Sequence, residues 1–253
     1  MIDASELTVF VTGATAGFGR ATAKRFVEAG ARVVATGRRQ ERLDELRGEL
    51  GERLHPLQLD VRDRAAVERV PGELPAAFAG VDVLVNNAGL ALGLEPAHEV
   101  PLDDWQDMVE TNVNGLLYCT HTLLPAMVER DRGHIINIGS VTGSYPYPGA
   151  SVYGASKAFV KQLSLCLRAD LLGHNVRVTD IEPGLGETEF SVVRFKGDAE
   201  KAKKPYQGLQ PLRPEDIAEA VFWAATLPRH VNVNRLEVMP VMQAFSPFSF
   251  HRE

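Results

Sequence analysis

The chain has 253 residues, 45% hydrophobic and 24% charged, which supplies a full apolar core and excludes disorder as the default. Its formal charge of -6 opposes a phosphate backbone, so no nucleic-acid partner is expected. The two cysteines, Cys119 and Cys166, lie in separate apolar helical patterns and read as small buried hydrophobes in a reducing compartment; no Cys/His cluster has metal-site spacing.

Residues 1–7 carry Asp3 and Glu6 and lack the basic-then-apolar pattern of a leader. Residues 7–12 predict a buried strand, and a helix follows over 17–29. A strand at 31–36, a charged helix at 40–50 and a strand at 54–59 come next. Further strands are expected at 81–85, 135–138, 176–181 and 236–240. Long helical stretches separate them, notably 102–129 and 151–172. The strands are near-continuous runs of Val, Ile and Leu, the mark of burial on both faces. Strand–helix alternation predicts an α/β protein: a Rossmann-like, doubly wound, seven-stranded parallel sheet with helices on both faces. No linker rich in Gly, Ser or Pro divides the chain, so residues 1–253 are expected to form one domain. The least regular region, 183–214, reads as a substrate-covering flap with a short helix. Phe245, Phe248 and Phe250 in the tail are expected to pack on their own subunit or a neighbour. No apolar run approaches the ~20 residues that cross a bilayer, so a soluble, cytoplasmic protein without membrane contact is expected.

Between the first strand and first helix lies Thr12-Gly13-Ala14-Thr15-Ala16-Gly17-Phe18-Gly19. Gly13 permits a tight turn, Gly17 lets backbone approach a pyrophosphate, and Gly19 allows close helix–strand packing. The helix N-terminus then offers free N–H groups to the anion. Glycines alone also make ordinary turns; the position after a strand and before a helix favours phosphate. Asn86-Asn87-Ala88-Gly89 ends the fourth strand, Asn112 lies in the next helix, Ser140 follows the fifth strand, and Tyr153-x-x-x-Lys157 comes after it. Pro183-Gly184 and Thr188 follow the sixth strand.

The wide glycine spacing and these motifs in this order resemble the classical short-chain dehydrogenase/reductase family, end to end. The resemblance implies a nicotinamide cofactor contacted by Gly13, Thr15, Ala16, Gly17, Phe18, Gly19, Asn87, Ala88 and Gly89. It adds Asp60-Val61 at the adenine edge, Lys157 at the nicotinamide ribose, and Pro183, Gly184 and Thr188 on the nicotinamide side. Asp60 alternatively caps the helix that follows. The second strand ends in Thr36-Gly37-Arg38-Arg39, with no acidic residue to hold a ribose 2′-hydroxyl. A guanidinium meets the 2′-phosphate bidentately, so NADP(H) is expected, with Arg38 as first partner and Arg39 assisting.

Tyr153 and Lys157, four apart on a helix, share one face. An ammonium near the phenol is expected to lower its pKa from about 10, so that Tyr153 exchanges a proton with the substrate oxygen while Ser140 hydrogen-bonds that oxygen. By resemblance, Asn112 holds a water that extends the proton relay. Each residue also has a plain structural reading: an amphipathic pair, a turn cap for Ser140, a helix-backbone bond for Asn112. Their joint occurrence favours catalysis over a non-catalytic NADP-sensing module.

Within the family, residues 36–43, 86–93, 95–98, 193–198 and 251–252 most resemble bacterial NADP-dependent 3-hydroxy acid dehydrogenases, described also as L-allo-threonine or serine dehydrogenases and malonic semialdehyde reductases. The resemblance implies a small-molecule substrate and a homotetramer. One residue fewer than that subgroup's usual loop separates Pro183-Gly184 from Thr188, the gap being Leu185-Gly186-Glu187. A carboxylate substrate needs a cation, for which Arg194 and Lys196 are the candidates, with Ser140 and Tyr153 at the reacting oxygen. Tyr145, Tyr147, Leu90 and Leu92 are candidates for the apolar lining. The alternative substrate is a neutral or hydrophobic ketone.

Overall fold

Alternate residues of a strand face opposite ways, and in this chain both ways lead into apolar packing. The computed structural model describes residues 1–245. Its strands are β1 (Thr8–Val11), β2 (Arg32–Gly37), β3 (Leu54–Gln58), β4 (Val83–Asn86), β5 (Gly133–Ile138), β6 (Val176–Pro183) and β7 (Arg235–Val238). They form one seven-stranded sheet in the order β3-β2-β1-β4-β5-β6-β7, and every neighbouring pair is parallel. Val9, Val11, Val33, Val85 and Ile136 point into one core, while Phe10, Val34, Leu84, Ile135 and Val178 point into the other. This double burial is why the inner strands read as largely apolar runs, while the edge strands β3 and β7 are only partly buried.

The helices are α1 (Gly17–Glu28), α2 (Gln40–Leu50), α3 (Arg64–Glu73), α4 (Leu102–Val109), α5 (Gly115–Glu129), α6 (Ser151–Asp170), α7 (Glu189–Arg194), α8 (Ala199–Lys203) and α9 (Pro214–Thr226). Phe26 of α1, Leu43 and Leu46 of α2, and Ile217 and Val221 of α9 cover the first face. Val67 and Val70 of α3 with Cys119, Leu123 and Met127 of α5 cover the second. Burying each such large side chain contributes about 1.5–3 kcal/mol relative to leaving it in water.

The expected helix over 102–129 is interrupted at Glu110–Asn114 by a π-helical segment that includes Asn112. Such bulges tend to sit at functional sites. The flap contains two short helices, α7 and α8, where one was expected. Phe245 is exposed, with its ring 5.5 Å from that of Tyr145; Phe248, Phe250 and the 251–252 segment lie outside the described residues. Among the described residues, no helix is long and apolar enough to cross a membrane.

The strand order reverses direction at β1, whose neighbours are β2 and β4. The loops leaving the carboxyl ends of β1 and β4 diverge there and open a crevice, the usual ligand position in a doubly wound sheet.

Candidate active site

The crevice is a cleft of about 540 Å³ at the carboxyl ends of the strands. Gly13, Thr15, Ala16, Gly17, Phe18, Arg38, Arg39, Asp60, Val61, Asn87, Ala88 and Gly89 line one end of it; Ser140, Tyr153, Lys157, Pro183, Gly184, Thr188 and Arg194 line the rest. Of the expected catalytic and cofactor residues, Gly19 and Asn112 are not in the lining.

The first turn is built to hold an anion. Gly13 and Gly17 have φ of 68° and 53°, a region that side chains rarely adopt. A Cβ on Gly17 would stand 3.2 Å from Thr188 Cβ, so the turn and the flap root are in contact. Helix α1 has Ala16 as its N-cap, no side-chain cap and no acidic residue in its first turn. By contrast, Asp63 caps α3 and Thr188 caps α7. The uncapped N–H groups and dipole end of α1 are open to a phosphate. Gly19 acts from behind: a Cβ there would collide with Gly13 O and Asn87 Nδ2. Asn87 Nδ2 donates to Thr12 O (2.8 Å) and Gly13 O (3.1 Å), while Thr12 Oγ1 accepts from the N–H groups of Asn87 and Ala88 (both 2.9 Å). Thr12 and Asn87 thus tie the ends of β1 and β4 together across the crevice.

At the end of β2, Gly37 is buried against Thr15, and a Cβ there would lie 2.5 Å from Thr15 Cγ2. Arg38 is exposed on the cleft rim and makes no ion pair among the described residues. Arg39 is already engaged: Nη2 donates to Thr15 Oγ1 (3.0 Å) and Nη1 to Glu189 Oε2 (3.1 Å). Asp60 does not cap α3, a position taken by Asp63. Its carboxylate instead accepts from Arg62 N (3.0 Å) and Arg62 Nη2 (2.8 Å). Burial pushes the Asp60 carboxyl up, but the Arg62 hydrogen bonds hold it below the usual range. A dinucleotide with an extra phosphate fits this end: an uncapped helix, a close-approach turn, and a cation where an acid would repel it.

At the other end, Ser140 follows β5 and accepts from Thr142 N (3.2 Å) and Thr142 Oγ1 (2.6 Å). The turn-cap reading of Ser140 therefore holds, and its own proton stays available toward the cleft. Ser140 and Thr142 both lie near the Tyr153 hydroxyl and favour its ionised form. Thr142 had no motif of its own in the sequence. Lys157 Nζ donates to Ile138 O (2.7 Å) and lies 5.9 Å from the centre of the Tyr153 ring. Burial pushes the Lys157 ammonium down to about 8, with the charge on Asp180 opposing.

The expected lowering of the Tyr153 phenol by Lys157 is not what this arrangement produces. Burial pushes the phenol up, and the first charge to oppose it is that of Arg194, followed by the Ser140 and Thr142 hydroxyls. The Arg194 guanidinium lies 5.1 Å from the Tyr153 ring centre, 5.3 Å from that of Phe190 and 6.0 Å from that of Tyr147. Its Nε is buried without a hydrogen-bond partner. Lys196, the other flap cation, pairs outside with Asp104 at 2.8 Å. Tyr147 and Leu90 line the cleft, whereas Tyr145 and Leu92 do not; Tyr145 reaches Glu237 on β7.

Asn112 lies one layer behind. Its Oδ1 accepts from Leu90 N (2.8 Å), and its Nδ2 donates to Leu90 O (2.8 Å) and Ser156 Oγ (3.0 Å). The amide frames the loop after β4. The short loop of Leu185-Gly186-Glu187 is strapped to Leu212 by Leu212 N donating to Leu185 O and Glu187 N to Leu212 O (both 2.9 Å). A Cβ on Gly186 would lie 2.6 Å from Phe18 Cζ, so the loop closes directly over the phosphate turn. Glu187 is exposed and outside the lining. Gln243, which the sequence did not mark, reaches the cleft from the tail and accepts from Leu185 N (2.8 Å).

A doubly wound parallel sheet with this phosphate turn and a Ser–Tyr–Lys cluster defines a nicotinamide-dependent oxidoreductase. The model of the short chain dehydrogenase family matches residues 7–198, and the chain belongs to that family, whose members act on CH–OH groups. It is 63% identical over 247 residues to the NADP-dependent 3-hydroxy acid dehydrogenase YdfG of Salmonella typhi, covering 97% of this chain and 100% of that protein. It is 52% identical over 246 residues to the serine 3-dehydrogenase of Rhizobium radiobacter, covering 97% and 98%. A closed form of serine dehydrogenase complexed with NADP+ superposes with a TM-score of 0.93 at 60% identity, covering 97% of this chain and 99% of that one.

Proposed function

We propose that this enzyme transfers a hydride between NADP(H) and a small 3-hydroxy acid or 3-oxo acid, of the serine, L-allo-threonine and 3-hydroxypropionate class. The observation that carries the substrate class is Arg194. The Arg194 guanidinium borders the cleft beside the reacting tyrosine with its Nε unpartnered, and a carboxylate accepts from a guanidinium bidentately. The named relatives support the same class.

When bound, NADP(H) supplies or accepts the hydride at the carbinol carbon. Tyr153 gives its phenolic proton to the carbonyl oxygen in reduction and takes the hydroxyl proton in oxidation. Ser140 donates to the oxygen as its charge develops, and Thr142 holds Ser140 in place by donating to its Oγ. Arg194, paired with the carboxylate, fixes the acid's far end so that its oxygen meets Tyr153. Lys157 places a positive charge beneath the ring. Arg38 takes the 2′-phosphate, and residues 183–214 serve as the flap of a single domain.

Leu102, Val109, Phe159, Leu165 and Leu172 are exposed on or beside α4 and α6. That apolar surface supports association into the homotetramer that the family resemblance implies. The two unpaired cysteines support a cytoplasmic location; burial pushes the Cys119 thiol up to about 12, so it stays an inert thiol.

Arg194→Ala tests the substrate assignment. Turnover of hydroxy acids is expected to fall by about a hundredfold, the loss of one buried charge-assisted pair, mainly through KM. Turnover of a neutral secondary alcohol is expected to change far less. Equal losses on both would reject the carboxylate anchor.

A further inference from the structure

Behind the cleft, β6 carries a buried acid that the mechanism above does not use. Asp180 is fully buried, and neither carboxylate oxygen finds a hydrogen-bond donor among the described residues. An ionised carboxylate left bare in that setting is strongly unfavourable. Two residues on and on the same strand face, Glu182 is buried as completely. Glu182 is fully satisfied, however: Arg235 from β7 donates Nε to Oε1 (2.9 Å) and Nη2 to Oε2 (2.6 Å).

One guanidinium neutralises one carboxylate. Asp180 and Glu182 stand side by side on one strand face, both fully buried, and two ionised carboxylates so placed cannot hydrogen-bond each other. A single proton held between them neutralises Asp180 and lets it donate to Glu182, and the ion pair with Arg235 leaves that proton on Asp180. Burial comes first and Glu182 second in pushing the Asp180 carboxyl up to about 8, with Lys157 and Arg235 opposing.

The position of Asp180 connects this pair to the reacting centre. It stands in register with Asn137 of β5. A Cβ on Gly139 would collide with its Oδ1. Gly139 lies between Ile138, whose carbonyl accepts from Lys157 Nζ, and Ser140. Lys157 and Asp180 act on each other electrostatically. The charged groups facing Asp180 are Lys157 from α6, Glu182 from its own strand and Arg235 from β7; β5 presents the uncharged Asn137 and Gly139.

We propose that Asp180 and Glu182 form a proton-sharing carboxyl pair behind the active site, and that Asp180, on releasing its proton, becomes a counter-charge that delays the loss of the Lys157 proton as pH rises. Asp180 is thus a positioning residue acting through Lys157. No bond is made or broken beyond this proton's departure to solvent. The role rests on the reading of Lys157 as the cation beneath Tyr153.

Asp180→Asn keeps the size of the side chain and removes the counter-charge. The alkaline limb of the kcat profile is expected to move down by about one unit, so the ratio of the rate at about pH 9 to that at about pH 7 falls roughly fivefold against the unsubstituted enzyme. An unshifted limb, with equal losses at both pH values, would mark a packing role only and overturn the proposal. Infrared spectroscopy of the unsubstituted enzyme needs neither turnover nor a folded variant. It is expected to show the C=O stretch of a buried protonated carboxyl near neutrality, fading as pH rises through about 8. Absence of that band near neutrality would also overturn it. Full turnover by Lys157→Met would instead reject the role of Lys157, and it would leave the infrared band in place.

Discussion

Glu189, the first residue of α7, forms an ion pair with Arg39 across the cleft mouth, Oε2 to Nη1 at 3.1 Å, and reaches Arg42 Nη1 at 3.4 Å with its other oxygen. The flap root is therefore fastened to the segment that follows β2, beside the expected seat of the 2′-phosphate. These side chains are about two-fifths exposed, so the pairs themselves add little stability, about 1 kcal/mol or less. Their effect is on the charge that the phosphate meets.

Glu189→Gln removes a negative charge beside Arg39 and leaves the flap's packing in place. NADP is expected to bind about two- to fivefold tighter, the equivalent of one screened surface interaction, and NAD is expected to bind as before. Equilibrium titration of cofactor fluorescence reads both. An equal change for the two dinucleotides would mean that Glu189 acts on the flap and not on the phosphate.

Arg38→Ala is expected to weaken NADP about tenfold, consistent with a charge-assisted hydrogen bond at the solvent-facing rim, and to leave NAD within about twofold. The same titration decides it. If NAD weakened in parallel, Arg38 would be acting on the adenine or on the fold.

Much of this was legible in the sequence, for identifiable reasons. Inner strands buried on both faces leave runs rich in Val, Ile and Leu, so the sheet class could be read directly, while the edge strands β3 and β7 are only partly buried. Glycines forced by φ or by close approach keep a fixed spacing, and this put the phosphate turn in view. Arg194 and Lys196 looked alike in sequence, because a flap's path is set by distant contacts. Only the folded chain separates the inward guanidinium from the ammonium paired with Asp104. Thr142 and Gln243 left no pattern, since each reaches the cleft by a single hydrogen-bonded turn or tail contact. The electrostatic order at Tyr153 was also hidden: helical spacing puts Lys157 on its face but cannot rank that charge against Arg194.

The pH dependence follows from Lys157. Its ammonium is pushed down to about 8 by burial, so the cation is present below that pH and lost above it. Tyr153 is pushed up, so it remains a neutral acid across the same range. Reductive kcat/KM, which reports the free enzyme, is expected to hold level in neutral solution and to fall as pH rises through about 8. A profile still level where Lys157 has lost its proton would show that its charge is dispensable.

The most direct test of the central claim is a steady-state comparison of NADP and NAD against L-serine, L-allo-threonine, 3-hydroxypropionate and a neutral secondary alcohol. Turnover that depends on NADP and is confined to the hydroxy acids is the expected result. Turnover of the neutral alcohol alone, or with NAD alone, would contradict the reading of Arg194 or of Arg38 respectively.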